Sequence, residues 1–269
     1  PDGAVAVFFA GAPPRRTADA FYRFFAERNF VYLTGTDRRA FVLVLEKDGG
    51  KVSERLFVEP SDPAAEVWTG RRLTGAEARA ASGIETIDAF QGFERYLHER
   101  IRTGTVESLW LNLDRLSPEQ ALDPAHALAG TVRERYPDVQ VRNAYPMLRR
   151  QRTVKSRDEI AATRRAMQVT REGILAMMRT CRPGLMEYDL LAEFNAVLTR
   201  RGIIDPAFGP IVSSGENNFY LHYEESQGPV RDGDLVLTDV GAILDFCTND
   251  ISRVFPAKVA SMIASGLCM

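Results

Sequence analysis

A chain of 269 residues, 45% hydrophobic, is long enough for two domains of ordinary size. Its 34 basic and 36 acidic side chains leave a formal net charge of −2, which implies neither a nucleic acid nor an acidic membrane as partner. No apolar run approaches the roughly 20 residues that span a bilayer, and Pro1–Ala10 lacks the basic start and cleavage pattern of a signal peptide. Cys181, Cys247 and Cys268 are odd in number and scattered, which points to a reducing cytoplasm and away from a disulfide framework or a thiolate zinc site.

Strand and helix signals alternate through the first half. Ala4–Phe9 reads as a short apolar strand, and Thr17–Arg28, with Phe21, Phe24 and Phe25 at helical spacing, as a helix. Phe30–Leu33, Ala40–Leu45 and Arg55–Glu59 read as strands, the second and third joined through Lys47-Asp-Gly-Gly-Lys51. A helix over Ala89–Ile101, a strand over Ser108–Leu113, a helix over Ala125–Arg135 and a strand over Val139–Arg142 follow. The alternation predicts an α/β domain, a mixed sheet with flanking helices.

Asn143–Arg150, with Pro146 and the nearby Arg149, Arg150 and Arg152, reads as a linker, so the first domain is expected to span 1–147. Ser156-Arg-Asp-Glu159 is a capping box: serine and glutamate satisfy each other's orphan amides at a helix start. Ile160, Met167, Ile174, Met178 and Cys181 would give that helix its buried stripe, and Met167, Met177 and Met178 read as core filler. Pro183-Gly184 ends it, and a second helix runs over Tyr188–Arg200. Two helices followed by short strands and a hairpin make the second half an α+β domain, expected over 148–257, with 258–269 a divergent tail.

Leu235–Val240 and Phe246–Phe255 are the two arms of the hairpin. A turn centred on Leu244-Asp245 sets Asp239 directly opposite Asp250 on one face. Opposed side chains have Cβ atoms roughly 5 Å apart, where two bare carboxylates repel. A divalent cation removes that penalty, and carboxylate oxygens are the ligands hard cations prefer. The plainer alternative leaves one aspartate in solvent or bonded to Arg253. His222, in Phe219-Tyr-Leu-His-Tyr223, stands shortly before the hairpin in sequence. A neutral imidazole there can donate to an oxyanion or move a proton near pH 7.

Four blocks of the second half closely resemble the Xaa-Pro aminopeptidases (aminopeptidase P), metallopeptidases of the pita-bread fold. They are Phe208-Gly-Pro-Ile-Val-Ser-Ser-Gly-Glu-Asn217, Leu221-His-Tyr223, Asp232-Gly-Asp-Leu-Val-Leu-Thr-Asp-Val-Gly-Ala242 and Asn249-Asp-Ile-Ser-Arg-Val-Phe-Pro256. Upstream, Phe30-Val-Tyr-Leu-Thr-Gly35, Leu56-Phe-Val-Glu-Pro60, Glu66-Val-Trp-Thr-Gly-Arg71 and Val154-Lys-Ser-Arg-Asp-Glu-Ile160 resemble the same family in the same order. The resemblance implies two divalent ions, usually manganese, holding a water that attacks the peptide bond before proline. It makes Asp239 a chelating ligand and Asp250 a bridging one. His222 would assist substrate binding and stabilise the tetrahedral intermediate, and Arg253 would pair with carboxylates around the site. Trp68 resembles a tryptophan that, in oligomeric members, reaches toward a neighbouring subunit's active site, which implies a substrate-binding role for it and a homo-oligomer.

The family pattern needs one more histidine and two glutamates beyond the hairpin. Ala257–Met269 contains no His, Glu or Asp. The expectation is therefore a C-terminally truncated Xaa-Pro aminopeptidase, inactive in this form, whose parent acts on peptides with proline second. A proline dipeptidase of the same fold and a non-catalytic binding or assembly module that keeps the N-terminal domain are the rival readings; a creatinase-type hydrolase matches the N-terminal blocks less well.

Overall fold

In the computed structural model, which describes residues 2–258, the alternation of the first half builds one six-stranded mixed sheet. In chain order the elements are β1 (Ala4–Phe9), β2 (Arg15–Thr17), β3 (Ala20–Phe21), α1 (Arg28–Thr34), β4 (Val42–Asp48), β5 (Lys51–Val58), α2 (Pro63–Thr69), α3 (Gly75–Ser82) and β6 (Thr86–Ala89). A short 3-10 turn leads into α4 (Phe93–Arg102), followed by β7 (Ser108–Leu111), α5 (Pro124–Arg135), β8 (Gln140–Asn143) and α6 (Tyr145–Thr153). The sheet order is β6-β5-β4-β1-β7-β8, with β1, β4 and β5 antiparallel neighbours and the outer strands joined in parallel.

Alternation along the central strands sends side chains to two separate cores. Val5 and Val7 of β1, Val42 and Val44 of β4 and Phe57 of β5 meet Phe93, Leu97 and Ile101 of α4 and Ala129 and Val132 of α5. Phe8, Leu43, Leu56 and Val58 point the other way, onto Phe30 and Val31 of α1, Ala78 of α3 and Leu148 of α6. Both faces of the sheet are thus covered by helices. The hairpin between β4 and β5 closes through Gly49 and Gly50, both at positive φ, the geometry that matches strand twist in a two-residue turn.

Three expectations for this half are corrected. Thr17–Arg28 is not a helix: it holds the small β2–β3 hairpin and an extended run into α1. Phe21 and Phe25 are exposed, and guanidinium groups cover them, Arg15 over Phe21 at 5.8 Å and Arg28 over Phe25 at 5.6 Å. Of the three rings at helical spacing only Phe24 packs against a core, from extended backbone, so periodicity alone misled. Phe30–Leu33 is helix, not strand. The Glu27 carboxylate accepts the Phe30 amide at 2.8 Å to start it, and Gly35 in the left-handed region ends it. The supposed linker is α6, with Pro146 in its first turn, where a missing N–H costs nothing. Leu148 is buried in the second core, and the two compact units divide between Val154 and Lys155 rather than after residue 147.

The second unit consists of α7 (Arg157–Thr180), α8 (Glu187–Arg200), β9 (Ile211–Ser214), a 3-10 turn (Gly215–Phe219), β10 (Leu235–Val240), β11 (Ile243–Leu244), β12 (Cys247–Thr248) and β13 (Ile251–Pro256). Ser156 and Glu159 form the expected capping box at the start of α7. The buried stripe of α7 differs from expectation: Ile160 and Met167 are exposed, while Ala162, Ala166, Val169, Thr170, Gly173, Ile174 and Met177 face inward. Small residues line it because α8 comes close. A Cβ on Gly173 would overlap the ring of Phe194. The sheet order is β13-β10-β9, and Val212, Val236, Val240 and Phe255 share one core with Met177, Leu190, Phe194 and Leu198 of the helices. The divergent tail expected over 258–269 lies, apart from Lys258, outside the described residues. Among the described residues no helix is long and apolar enough to cross a membrane.

Burial pushes the Cys181 thiol up to about 11 from its ordinary 9.0. The folded state therefore keeps a proton that the unfolded chain releases. This contribution to stability is complete below pH 9.0, the unfolded value, and is lost as pH rises towards about 11. Cys181 is expected to resist iodoacetamide at pH 8 until denaturant is added, while the partly exposed Cys247 labels in the folded chain. Peptide mass mapping reads the two separately, and equal labelling would contradict the packing.

Candidate metal centre

The pair of carboxylates depends on how β10 meets β13. Asp239 pairs with Ser252 and Val240 with Ile251, two positions from the expected register. β11 and β12 continue the same register, Ile243 with Thr248 and Leu244 with Cys247, so the turn is Asp245-Phe246 and not Leu244-Asp245. Both turn residues have positive φ, +48° and +62°, as a two-residue primed turn requires. A left-handed phenylalanine is rare, and the Asp245 carboxylate is held by an ion pair with Arg165 of α7.

Between the two short ladders Gly241-Ala242 faces Asn249-Asp250 in the same register, with other partners taking up part of the hydrogen bonding. Ala242 donates its amide to Thr170 Oγ1 at 2.9 Å, and Gly241 offers its carbonyl to the Ala207 amide at 2.9 Å. Asn249 Nδ2 donates to the Ala242 carbonyl at 3.1 Å. Asp250 lies in this interruption, across from Gly241, and is a diagonal neighbour of Asp239 on the same face. Shifting the pairing by two residues keeps both aspartates together, because side chains alternate with period two.

The side chains do meet. The Asp250 carboxyl is held above its ordinary value, first by a hydrogen bond shared with Asp239, then by loss of water and by the Asp239 charge. Asp239 Oδ1 also accepts from Ser252 Oγ at 2.8 Å, which fixes that carboxylate's orientation. Two adjacent carboxylates that repel when both are charged form a donor set suited to a hard divalent cation, which would relieve that repulsion. The residues present therefore fit a metal as two of its ligands. Among the described residues no third His, Cys, Asp or Glu joins them.

The other expected site residues lie differently. Arg253 follows Ser252 and so belongs to the opposite face of β13. Its Nη1 donates to the Ser252 carbonyl at 2.7 Å, and among the described residues it forms no ion pair. His222 is exposed on the turn after the 3-10 segment, next to Phe219, Tyr220 and Leu221, all exposed. The hydrogen bonds uniting the aspartates do not include it. Its upstream support is tied to the sheet, with Ser213 Oγ bonded to Asn218 Oδ1 at 2.7 Å and Asn218 Nδ2 to the Leu235 carbonyl at 2.9 Å. Trp68, in the first unit, is 90% exposed near the end of α2, beside Val67.

One residue escaped the sequence reading. Glu187 opens α8 and is fully buried, accepting from the Ser214 amide at 2.6 Å, Ser214 Oγ at 3.0 Å, Asn217 Nδ2 at 3.0 Å and the Gly228 amide at 2.7 Å. An acidic residue in a first helical turn is ordinarily a solvated partner of the helix dipole. Nothing in its immediate sequence marks it as a buried acceptor.

Comparison with known proteins agrees with this architecture. The family model described as aminopeptidase P, N-terminal domain, matches residues 1–110, and that of metallopeptidase family M24 matches residues 161–263. The Xaa-Pro aminopeptidase of Escherichia coli (strain K12) is 32% identical over 278 residues, covering 95% of this chain and 58% of the relative. Among solved structures, an aminopeptidase P candidate from Bacillus anthracis superimposes with a TM-score of 0.92 at 38% identity, over 96% of this chain and 61% of its own. E. coli aminopeptidase P with the inhibitor Pro-Leu gives a TM-score of 0.85 at 32% identity, over 95% and 58%. The chain thus spans about 58% of the length of the curated E. coli relative. Its two units correspond to an aminopeptidase P N-terminal domain and part of a pita-bread domain.

Proposed function

The chain belongs to the aminopeptidase P family of M24 metallopeptidases, and we propose from that premise that it serves metal-dependent removal of an N-terminal residue from peptides with proline second. The observation that carries the reading is the Asp239–Asp250 contact on the M24 hairpin. Asp239, whose carboxylate accepts from Ser252, would supply oxygen ligands, and Asp250 would supply the second carboxylate of the site. A divalent pair, manganese by family custom, would lower the pKa of a bound water and neutralise charge developing on the scissile carbonyl. His222, an exposed imidazole, is the hydrogen-bonding group offered to the peptide. Arg253 is left without a proposed role beyond its backbone bond.

Supporting features fill in the setting. Trp68 and Val67 form an exposed apolar pair suited to cover by a second copy of the chain, in keeping with a homo-oligomer. The free thiols Cys181 and Cys247 suit the cytoplasm.

Residues 1–269 alone are expected to hydrolyse Gly-Pro or Ala-Pro peptides no faster than a metal-free control, because two carboxylates bind a divalent ion weakly. A form extended through the rest of the M24 domain is expected to cleave tripeptides such as Ala-Pro-Ala with added manganese and to ignore Ala-Ala-Ala. Turnover confined to dipeptides would favour a proline dipeptidase. Turnover of about 1 s⁻¹ or more by the 269-residue chain would remove the case for its inactivity.

A further inference from the structure

Both ends of the segment that carries His222 converge on one buried carboxylate. Upstream, Ser214 and Asn217 donate to Glu187 Oε1; downstream, the Gly228 amide donates to Oε2. The Glu187 amide returns a bond to the Gly228 carbonyl at 2.9 Å, and the Val230 amide bonds the Leu185 carbonyl at 2.8 Å. Within the segment, the Tyr223 hydroxyl oxygen accepts from Asn217 Nδ2 and from the Gln227 amide, each at 3.1 Å. Gly228 is needed because a Cβ there would overlap Asn217 Nδ2 and stand 2.7 Å from Glu187 Oε1. A buried carboxyl group is tolerated only when its lone pairs are filled, and here four donors fill them from the two ends of one loop.

We propose that Glu187 is a positioning residue: it closes the loop between Ser214 and Gly228 and so sets where His222 stands. This rests on the reading of His222 as the group that meets the peptide. Glu187 touches neither substrate nor metal. It acts by removing the freedom of a segment whose own tip, Phe219 to His222, is exposed. Shape alone would not require a charge at this point, whereas a tether reaching two backbone amides and two side-chain donors does.

The test is Glu187→Gln, which keeps the volume but turns one acceptor into a donor facing donors. In the 269-residue chain, hydrogen exchange at the Ser214 and Gly228 amides is expected to speed up roughly 10- to 100-fold, the scale of a lost hydrogen bond to a charged group, while Val236, Thr238 and Val240 stay protected. Should Glu187→Gln loosen the whole second unit, Asn217→Ala, which removes one side-chain donor shared by Glu187 and Tyr223, gives the same local comparison. Unchanged loop amides in both variants, or loss of protection across β10 in both, would overturn the tether. In the extended form, the loosened loop is expected to lower kcat at least tenfold with little change in KM. A His222→Ala variant separates the two ideas. If it leaves turnover intact, the reading of His222 fails and hydrogen exchange alone decides the tether. If it abolishes turnover while Glu187→Gln, with freed loop amides, keeps full kcat, the positioning role fails.

Discussion

Asp250→Asn in the extended form is expected to lose both bound manganese and turnover. Loss of an outer-shell partner already costs roughly 10- to 100-fold in metal affinity, and a bridging ligand should cost more because both ions share it. Asp239→Asn is expected to do similar damage. His222→Ala should keep its metal while losing turnover, since its proposed partner is the peptide. In the 269-residue chain without metal the sign changes. The Asp250 carboxyl is held up by its contact with Asp239, so a neutral amide in place of either carboxylate relieves repulsion. Both Asp→Asn variants should then melt at or slightly above the unsubstituted chain. Metal analysis after dialysis and thermal melting decide the matter. An Asp250→Asn protein that retains two ions and full activity would remove both aspartates from the site.

The second large effect lies directly across the hairpin from Asp250. Gly241→Ala is expected to destabilise the second unit by about 3 kcal/mol, measured by urea unfolding with an unchanged m-value. The added Cβ would fall inside the carbonyl oxygen of Asn249 and 3.0 Å from Phe208 Cε1. The obstruction is backbone, so no rotamer change relieves it. The Gly241 carbonyl and the Ala242 amide are themselves bonded to Ala207 and Thr170, so the glycine cannot retreat either. Because Asn249 precedes Asp250, the same displacement should weaken metal binding in the extended form. Gly130 is the control. It is exposed on α5 with nothing within 4 Å of a built Cβ, and Gly130→Ala should stabilise by up to about 1 kcal/mol. Equal effects at the two sites would mean that the close approach at Gly241 is easily relaxed.

The local signals in the sequence were enough for several elements. Ala4–Phe9 and Leu235–Val240 have the bounds expected of them, since apolar strands bounded by turn residues carry their own period. The Ser156–Glu159 capping box is likewise a contact between near neighbours. That Asp239 and Asp250 share a face was also legible, because a turn misplaced by one residue shifts the pairing by two and leaves side-chain parity intact. What the tertiary structure decided was every feature whose partner is distant in the chain. The turn at Asp245-Phe246 contains no glycine to announce it; an ion pair to Arg165 and the approach of Gly241 to Asn249 accompany it. Phe30 became helical, and Leu148 joined the second core of the first unit, because a packed sheet face awaited them. Arg253 sits on the opposite face from the aspartates. Glu187 reads like any acid at a helix start, and only the convergence of Ser214, Asn217 and Gly228, far along the chain, makes its burial tolerable.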